Sequence, residues 1–137
     1  MLSKGQDRQI VGNAGMYFIA YRLSRLGWNA MPTSRNARGV DIVIYNRYAS
    51  ITRTIQVKTL SNYAPISLGK SIDGLIADFI IVCVLTEEVP STYIMTKTEM
   101  IELEEIQKQL PNATEKDLWA ANSKSLWETF ASVSHEK

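Results

Sequence analysis

The chain has 137 residues, of which 45% are hydrophobic and 21% are charged. This size and composition are typical of one globular domain with a real core, so we expect residues 1–137 to form a single domain. No apolar stretch reaches the roughly 18 residues of a membrane helix, and the polar start MLSKGQDRQ differs from a signal peptide. The lone cysteine, Cys83, excludes an internal disulfide and predicts a buried thiol in a reducing compartment. We therefore expect a cytoplasmic protein with no membrane contact.

The charges are distributed unevenly along the chain. Residues 1–70 carry ten lysines and arginines against two acids, a net charge of +8, whereas residues 71–137 carry five against twelve, a net charge of −7. A basic segment of this kind is typical of proteins that bind a polyanion such as nucleic acid. The alternative is that the two halves attract one another in the folded protein.

The first predicted element is an amphipathic helix that begins at Gln6 or Gly12 and ends at Leu26. Its apolar residues recur every three or four positions, and Gly27 is well placed to end it. These apolar residues are Met16, Ile19, Ala20, Leu23 and Leu26. A short extended run at 28–31 and a basic loop, TSRNARG, follow the helix.

Two segments rich in β-branched residues, at 40–45 and 51–59, predict a β-hairpin. The later elements are predicted from the same patterns, and the final SVSHEK is expected to fray. In chain order they are a short helix at 71–76, an interior strand at 77–85 (ADFIIVCVL), a strand at 91–95, a helix that begins at Thr96 or Thr98, and a helix at 117–130 in which Trp127 and Phe130 belong to the core or an interface.

The hairpin brings polar residues together. Side chains alternate between faces, so Gln56 and Lys58 share one face of the second strand. A turn centred on Tyr48 and Ala49 makes the numbers of each cross-strand pair sum to 97, which places Asp41 opposite Gln56. Neighbours across a hairpin lie about 5 Å apart, so the hairpin predicts side chains that can share one metal ion.

The segments Gly39-Val-Asp41-Ile and Ile55-Gln-Val-Lys58-Thr resemble the D-x(n)-(E/Q)-x-K signature of the PD-(D/E)XK nuclease superfamily. The resemblance covers roughly residues 10–97. A GxxG in the first helix and the segments LSRLGWNA, GVDIVIYN, IQVKT and ADFIIVCVL occur in the order that the family shows. The resemblance implies a three-layer, restriction-endonuclease-like α/β domain with a mixed central β-sheet flanked by helices.

The resemblance also implies a site for a magnesium or manganese ion, bound weakly. The implied ligands are the Asp41 carboxylate, the Gln56 side-chain oxygen and the Val57 carbonyl, all hard oxygen donors. Lys58 would orient or activate the attacking water and stabilise charge on the phosphoryl oxygens. The implied activity is metal-dependent endonucleolytic hydrolysis of DNA phosphodiester bonds.

Basic residues near this site are expected to contact the DNA backbone. Arg35 and Arg38 precede Asp41 on the basic loop, and Lys70 closes the loop SNYAPISLGK after the second hairpin strand. The implied partner is DNA, with a homodimer as a further option and no organic cofactor.

The sequence departs from the family pattern in the first helix. Many relatives carry a glutamate where this chain has Met16, a residue that the helix pattern assigns to the core, and Gln56 stands where an acid is commoner. Asp41 is then the one carboxylate that can be assigned to the site. Three alternatives stay open: DNA phosphate completes the coordination, an acid such as Asp73 or Asp78 joins the site, or the domain has lost catalysis.

A degenerate nuclease fold that binds nucleic acid or a protein partner is therefore the alternative function. A simpler interpretation of the motif also exists, in which Asp41 only begins a strand and Lys58 is a solvent-facing lysine. Loss of metal-dependent cleavage on removal of the Asp41 carboxylate would separate an active nuclease from both.

Overall fold

The computed structural model of the chain describes residues 4–34, 39–62, 76–102 and 127–134. Residues 97–102 and 127–133 are helical. The predicted helix at 71–76 lies outside the described residues except for Ile76, which is not helical, and most of the helix predicted at 117–130 lies outside them too. The main elements are helix α1 (Lys4–Arg25) and strands β1 (Asn29–Pro32), β2 (Ile42–Tyr45), β3 (Thr52–Leu60), β4 (Phe79–Val84) and β5 (Ser91–Met95).

Helix α1 confirms the first predicted element and ends as its glycine predicts. Gly27 takes a positive φ of 106°, a conformation that favours glycine because it has no Cβ. Its N–H donates to the Ser24 carbonyl at 3.0 Å, while the Trp28 N–H donates to the Leu23 carbonyl at 3.1 Å. This pair of bonds is a Schellman motif, which satisfies carbonyls at the helix end. No helix in the described parts of the chain is both long and apolar enough to cross a membrane.

The five strands form one mixed sheet in the order β1-β2-β3-β4-β5. Strands β3 and β4 are parallel, and the other neighbours are antiparallel. Ile42 pairs with Ile55 and Tyr45 with Thr52, so the predicted hairpin and its pairing sum are confirmed. Strand β4 lies between β3 and β5, as its continuous apolar run predicts.

Both faces of the sheet are buried at β4 and β5. Along β4, alternate residues point to opposite faces, and Ile80, Ile81, Val82 and Cys83 are all at most 1% exposed. Helix α1 covers the face to which Ile81 and Cys83 belong. A mixed sheet with both faces buried confirms the predicted α/β class. The core on the α1 face consists of Ile19, Leu23, Trp28, Ile42, Ile44, Ile55, Ile81, Cys83, Ile94 and Phe130.

Helix α1 approaches β3 very closely at Gly15. A Cβ placed on Gly15 would lie 1.9 Å from Thr59 Oγ1, 2.7 Å from its Cγ2 and 2.8 Å from its Cβ. A Cβ on Gly12, one turn earlier, would have no heavy atom within 4 Å. Of these two glycines, only Gly15 is required for the helix to sit at this distance from the sheet.

The turn between β2 and β3 is organised by Asn46, which is fully buried. Its Oδ1 accepts hydrogen bonds from the backbone N–H groups of Ser50 at 2.8 Å and Ile51 at 3.0 Å, and its Nδ2 donates to Ser50 Oγ at 2.9 Å. Ala49 adopts a positive φ of 55° in this turn. One side chain therefore replaces several backbone partners where the hairpin reverses.

Arg22 extends from α1 towards β5 and the helical segment at 127–133. Its guanidinium donates to the Thr92 hydroxyl and lies 3.9 Å from the centre of the Trp127 ring, a cation–π contact. Burial lowers the pKa of Arg22, and burial raises the pKa of the Cys83 thiol to about 11 against the opposing effect of the Arg22 charge. Cys83 is therefore a buried neutral thiol, as predicted.

The chain beyond Phe130 is ordered further than the sequence predicts. Phe130 packs edge-on against Trp28, whose indole N–H donates to the Phe130 carbonyl at 2.9 Å. Ser134 is buried, donates to the Leu26 carbonyl at 2.8 Å and accepts from the Arg47 N–H at 3.0 Å. The expected fraying is therefore wrong for 132–134, because long-range contacts hold them. Residues 135–137 lie outside the described residues.

Candidate active site

The candidate site lies where the hairpin opens. Strand β2 pairs with β3 only as far as Ile55, whereas β3 continues to Leu60. Within the described parts of the chain, the β2-facing edge of residues 56–60 pairs with no strand. Asp41 immediately precedes β2, so it enters the space beside this edge. A carboxylate here can accept hydrogen bonds from backbone N–H groups that a neighbouring strand would otherwise satisfy.

Four hydrogen bonds fix Asp41, including one of 3.3 Å from the Thr33 hydroxyl to the Asp41 carbonyl. Its N–H donates to the Ile55 carbonyl at 2.8 Å, and its carbonyl accepts from the Thr33 N–H at 2.8 Å. Its carboxylate Oδ2 accepts from the Val57 N–H at 2.7 Å. The Thr33 hydroxyl adds a bond of 2.5 Å to the Val40 carbonyl. Asp41 is thus held through both its backbone and its side chain against the middle residue of the predicted Gln56-Val57-Lys58 motif.

The Val57 carbonyl lies on the same edge of β3 as the N–H that binds Asp41. The N–H and C=O of one strand residue point to the same side of the strand, so both groups of Val57 project away from β4. The sequence resemblance assigned a ligand role to this carbonyl. The Asp41 carboxylate and the Val57 backbone therefore meet in one place.

Gln56 and Lys58 occupy the face of the sheet opposite α1. They pair with Ile80 and Val82 of β4, while Val57 lies on the α1 side of the strand. The Gln56 Oε1 atom is buried and has no hydrogen-bond partner among the described residues. A buried amide oxygen without a partner is costly, so this atom is suited to a ligand. Lys58 is half-buried.

A cavity of about 520 Å³ opens beside Asp41. Val57 forms part of its wall, and Gln56 and Lys58 are not among its lining residues. Helix α1 and the segment after β1 supply the remaining walls. The lining residues are Gln9, Gly12, Asn13, Met16, Tyr17, Pro32, Thr33, Ser34, Asp41 and Val57.

Several polar residues of this cavity were missed by the sequence interpretation, among them Gln9, Asn13, Thr33 and Ser34. For Gln9 and Asn13 a signal existed, because they stand seven and three positions before Met16 and therefore share its helix face. Met16 itself packs against the core, as predicted, and also lines the cavity. For Thr33 the position after β1 gave no comparable pattern.

The acids outside Asp41 are placed elsewhere or not described. Among the described residues, no three histidine, cysteine or acidic side chains come together. Asp78 Oδ2 accepts from the Thr54 N–H at 2.8 Å and contacts its hydroxyl at 3.1 Å, which ties the start of β4 to β3. Asp73 lies outside the described residues. Arg35, Arg38 and Lys70 also lie outside them.

The oxygen atoms at this site suit a hard cation. A carboxylate, a backbone carbonyl and an amide oxygen without a partner are ligand types that magnesium and manganese accept. Asp41, Val57 and Gln56 supply one of each. The ligand types at the site therefore match those that such an ion accepts. Asp41 supplies the single carboxylate that balances the charge of the ion.

The fold is similar to that of a solved bacterial homing endonuclease, I-Ssp6803I, at a TM-score of 0.50 and 17% sequence identity. The similarity covers 69% of this chain and 72% of the homing endonuclease chain. At this level of identity the likeness establishes a shared nuclease-like fold. The chain matches no protein-family model and no curated protein.

Proposed function

We propose that this chain is a metal-dependent DNA endonuclease of the PD-(D/E)XK type, with Asp41, Gln56, Val57 and Lys58 as its site. The observation that carries the proposal is the 2.7 Å hydrogen bond from the Val57 N–H to Asp41 Oδ2, which joins the two halves of the motif beside a cavity. The fold shared with a homing endonuclease supports the same class of activity.

Each residue has a distinct role in the proposed reaction. A bound magnesium or manganese ion would supply a water of lowered pKa and screen the phosphate charge. Asp41, the Gln56 amide oxygen and the Val57 carbonyl would hold that ion. Lys58 would donate to the phosphoryl oxygens as negative charge builds on them.

DNA would be held by the basic half of the chain. Arg35, Arg38 and Lys70 are proposed to contact phosphates, because the segment 1–70 carries a net charge of +8. Replacing one of these residues by alanine should weaken binding similarly for all sequences. It should also reduce the slope of log affinity against log salt concentration by about 1.

The test uses Asp41→Asn, which keeps an oxygen acceptor for the Val57 N–H and removes the charge. Asp78→Asn is the matched control, because Asp78 also accepts a backbone N–H and lies outside the cavity. Supercoiled, nicked and branched DNA are incubated with each protein and either magnesium or manganese. We expect cleavage by the wild type and Asp78→Asn, and none by Asp41→Asn.

A second candidate is a nuclease fold that binds DNA without cutting it. It is favoured because Asp41 is the one acid among the described residues that line the cavity. Salt-sensitive DNA binding by the wild type, with neither cleavage nor calorimetric uptake of metal, would establish this candidate and refute the endonuclease. Equal cleavage by the wild type and Asp41→Asn would refute the assigned site.

A further inference from the structure

Helix α1 presents two amide side chains to the cavity, and the proposed site uses neither. Gln9 and Asn13 are four residues apart, so they lie one above the other on the helix face that also carries Met16. Neither amide is engaged in a hydrogen bond within the described part of the chain. The α1 wall of the cavity thus carries two amide oxygens that have no role in the proposed site.

We propose that Asn13 is a further ligand of the divalent cation, supplying its side-chain oxygen from the α1 wall of the cavity that Asp41 also lines. The inference rests on the proposed function. One carboxylate holds a hard cation weakly, and asparagine oxygens are accepted ligands of such ions. The Met16 thioether is a soft donor that suits neither magnesium nor manganese. The helix can therefore contribute an oxygen only from a neighbour of Met16 on the same face.

Asn13 is better placed for this role than Gln9. Asn13 is half-buried, whereas Gln9 is exposed. The shorter asparagine side chain also loses less rotamer freedom when it is fixed on an ion.

The asparagine amide can also act as a donor, and that role predicts different behaviour. If its NH₂ group binds a DNA phosphate, replacement by aspartate would place a negative charge against that phosphate. If its oxygen binds the cation, the same replacement would add a charged ligand. Asn13→Asp therefore separates the two roles in one variant.

The experiment is a calorimetric titration of manganese into the full chain without DNA. The proteins are the wild type, Asp41→Asn, Asn13→Ala, Asn13→Asp and Ala14→Asp. Ala14 is exposed on the same helical turn and is not a lining residue, so Ala14→Asp adds the same charge away from the cavity. We expect roughly tenfold weaker binding for Asn13→Ala and roughly tenfold tighter binding for Asn13→Asp. Ala14→Asp should stay within about twofold of the wild type, because its charge is exposed and screened.

A rescue variant tests whether helix and cation meet. In Asn13→Ala/Met16→Glu, the introduced glutamate carboxylate would replace the lost asparagine oxygen on the same helix face. Manganese affinity should therefore recover to at least the wild-type value. Far-UV circular dichroism and thermal unfolding of every variant identify any loss of folding. Asn13→Ala should fold well, because alanine is the better helix former.

The outcomes separate this inference from the proposed function. If Asn13→Ala binds manganese as the wild type does while Asp41→Asn does not, Asn13 is no ligand and the cation site stands. DNA binding by the wild type and Asn13→Asp is measured in a separate titration without metal. If Asn13→Asp binds DNA more weakly and gains no manganese affinity, the amide binds the phosphate and the inference is overturned. If the wild type takes up no manganese, the proposed metal site fails, and the inference with it.

Discussion

The contact between Gly15 and Thr59 allows a direct test of the close packing of α1 on β3. In Gly15→Ala the new Cβ would overlap Thr59 atoms at 1.9, 2.7 and 2.8 Å. A threonine Cβ cannot rotate away, so the helix or the strand must move. Overpacking of this kind costs about 1–3 kcal/mol, while the change from glycine to alanine inside a helix gains about 1 kcal/mol. We expect a net loss of up to about 2 kcal/mol in the free energy of unfolding.

Gly12→Ala is the matched control, because its Cβ would meet no atom within 4 Å. It retains the gain in helix propensity, so we expect it to be about 1 kcal/mol more stable than the wild type. Urea unfolding followed by far-UV circular dichroism measures both variants. The free energies of unfolding of the two variants should differ by about 1–3 kcal/mol. In thermal unfolding this corresponds to a difference of roughly 4–12 °C between their midpoints. Equal stabilisation by both substitutions would refute the close packing of α1 on β3.

Three further predictions concern the core and the hairpin turn. Asn46→Ala should cost about 1–3 kcal/mol in urea unfolding, because it removes the buried acceptor of the Ser50 and Ile51 N–H groups, whereas Asn46→Asp should cost less; equal losses would contradict that role. The raised pKa of Cys83 means that the folded state holds the thiol proton more tightly, so stability relative to Cys83→Ala should be constant below pH 9 and fall as the pH rises towards 11. A difference between those two proteins that does not vary with pH would exclude this effect. Trp127→Leu removes the ring beneath the Arg22 guanidinium and should cost about 1–2 kcal/mol, and an unchanged unfolding midpoint would show that the contact contributes nothing.

The hairpin was predictable because its local signals agree. Alternation fixes which residues share a face, and the polar turn between two β-branched segments fixes the pairing sum. The pairing of Ile42 with Ile55 follows from these signals alone. The helix end at Gly27 was predictable for a similar reason, since a glycine after the last apolar position is a local cue.

The placement of the site was predictable only in part. The sequence located Asp41 beside the Gln56-Val57-Lys58 segment, but not the end of pairing at Ile55 that lets the carboxylate reach the Val57 N–H. That detail depends on where two strands diverge in space. The roles of Asn13 and Gln56 as site residues stay predictions until metal binding is measured.

Contacts between distant parts of the chain were beyond local patterns. The order of Ser134 depends on Leu26 and Arg47, about a hundred positions earlier. The close approach of α1 to the sheet at Gly15 depends on the Thr59 side chain in β3. Neither partner can be identified from spacing within one helix, and no pattern in the sequence joins the two segments.

The packing of Phe130 on Trp28 determines when the core can be completed during synthesis of the chain. Until the ribosome has added Phe130, Trp28 has neither that ring nor the carbonyl that accepts its indole N–H. The nascent chain must therefore carry an open core, with its basic half already made, until Phe130 has been added. Contacts of such long sequence separation slow folding and prolong exposure of apolar surface. Nascent chains arrested before residue 127 should accordingly bind chaperones that the finished protein does not.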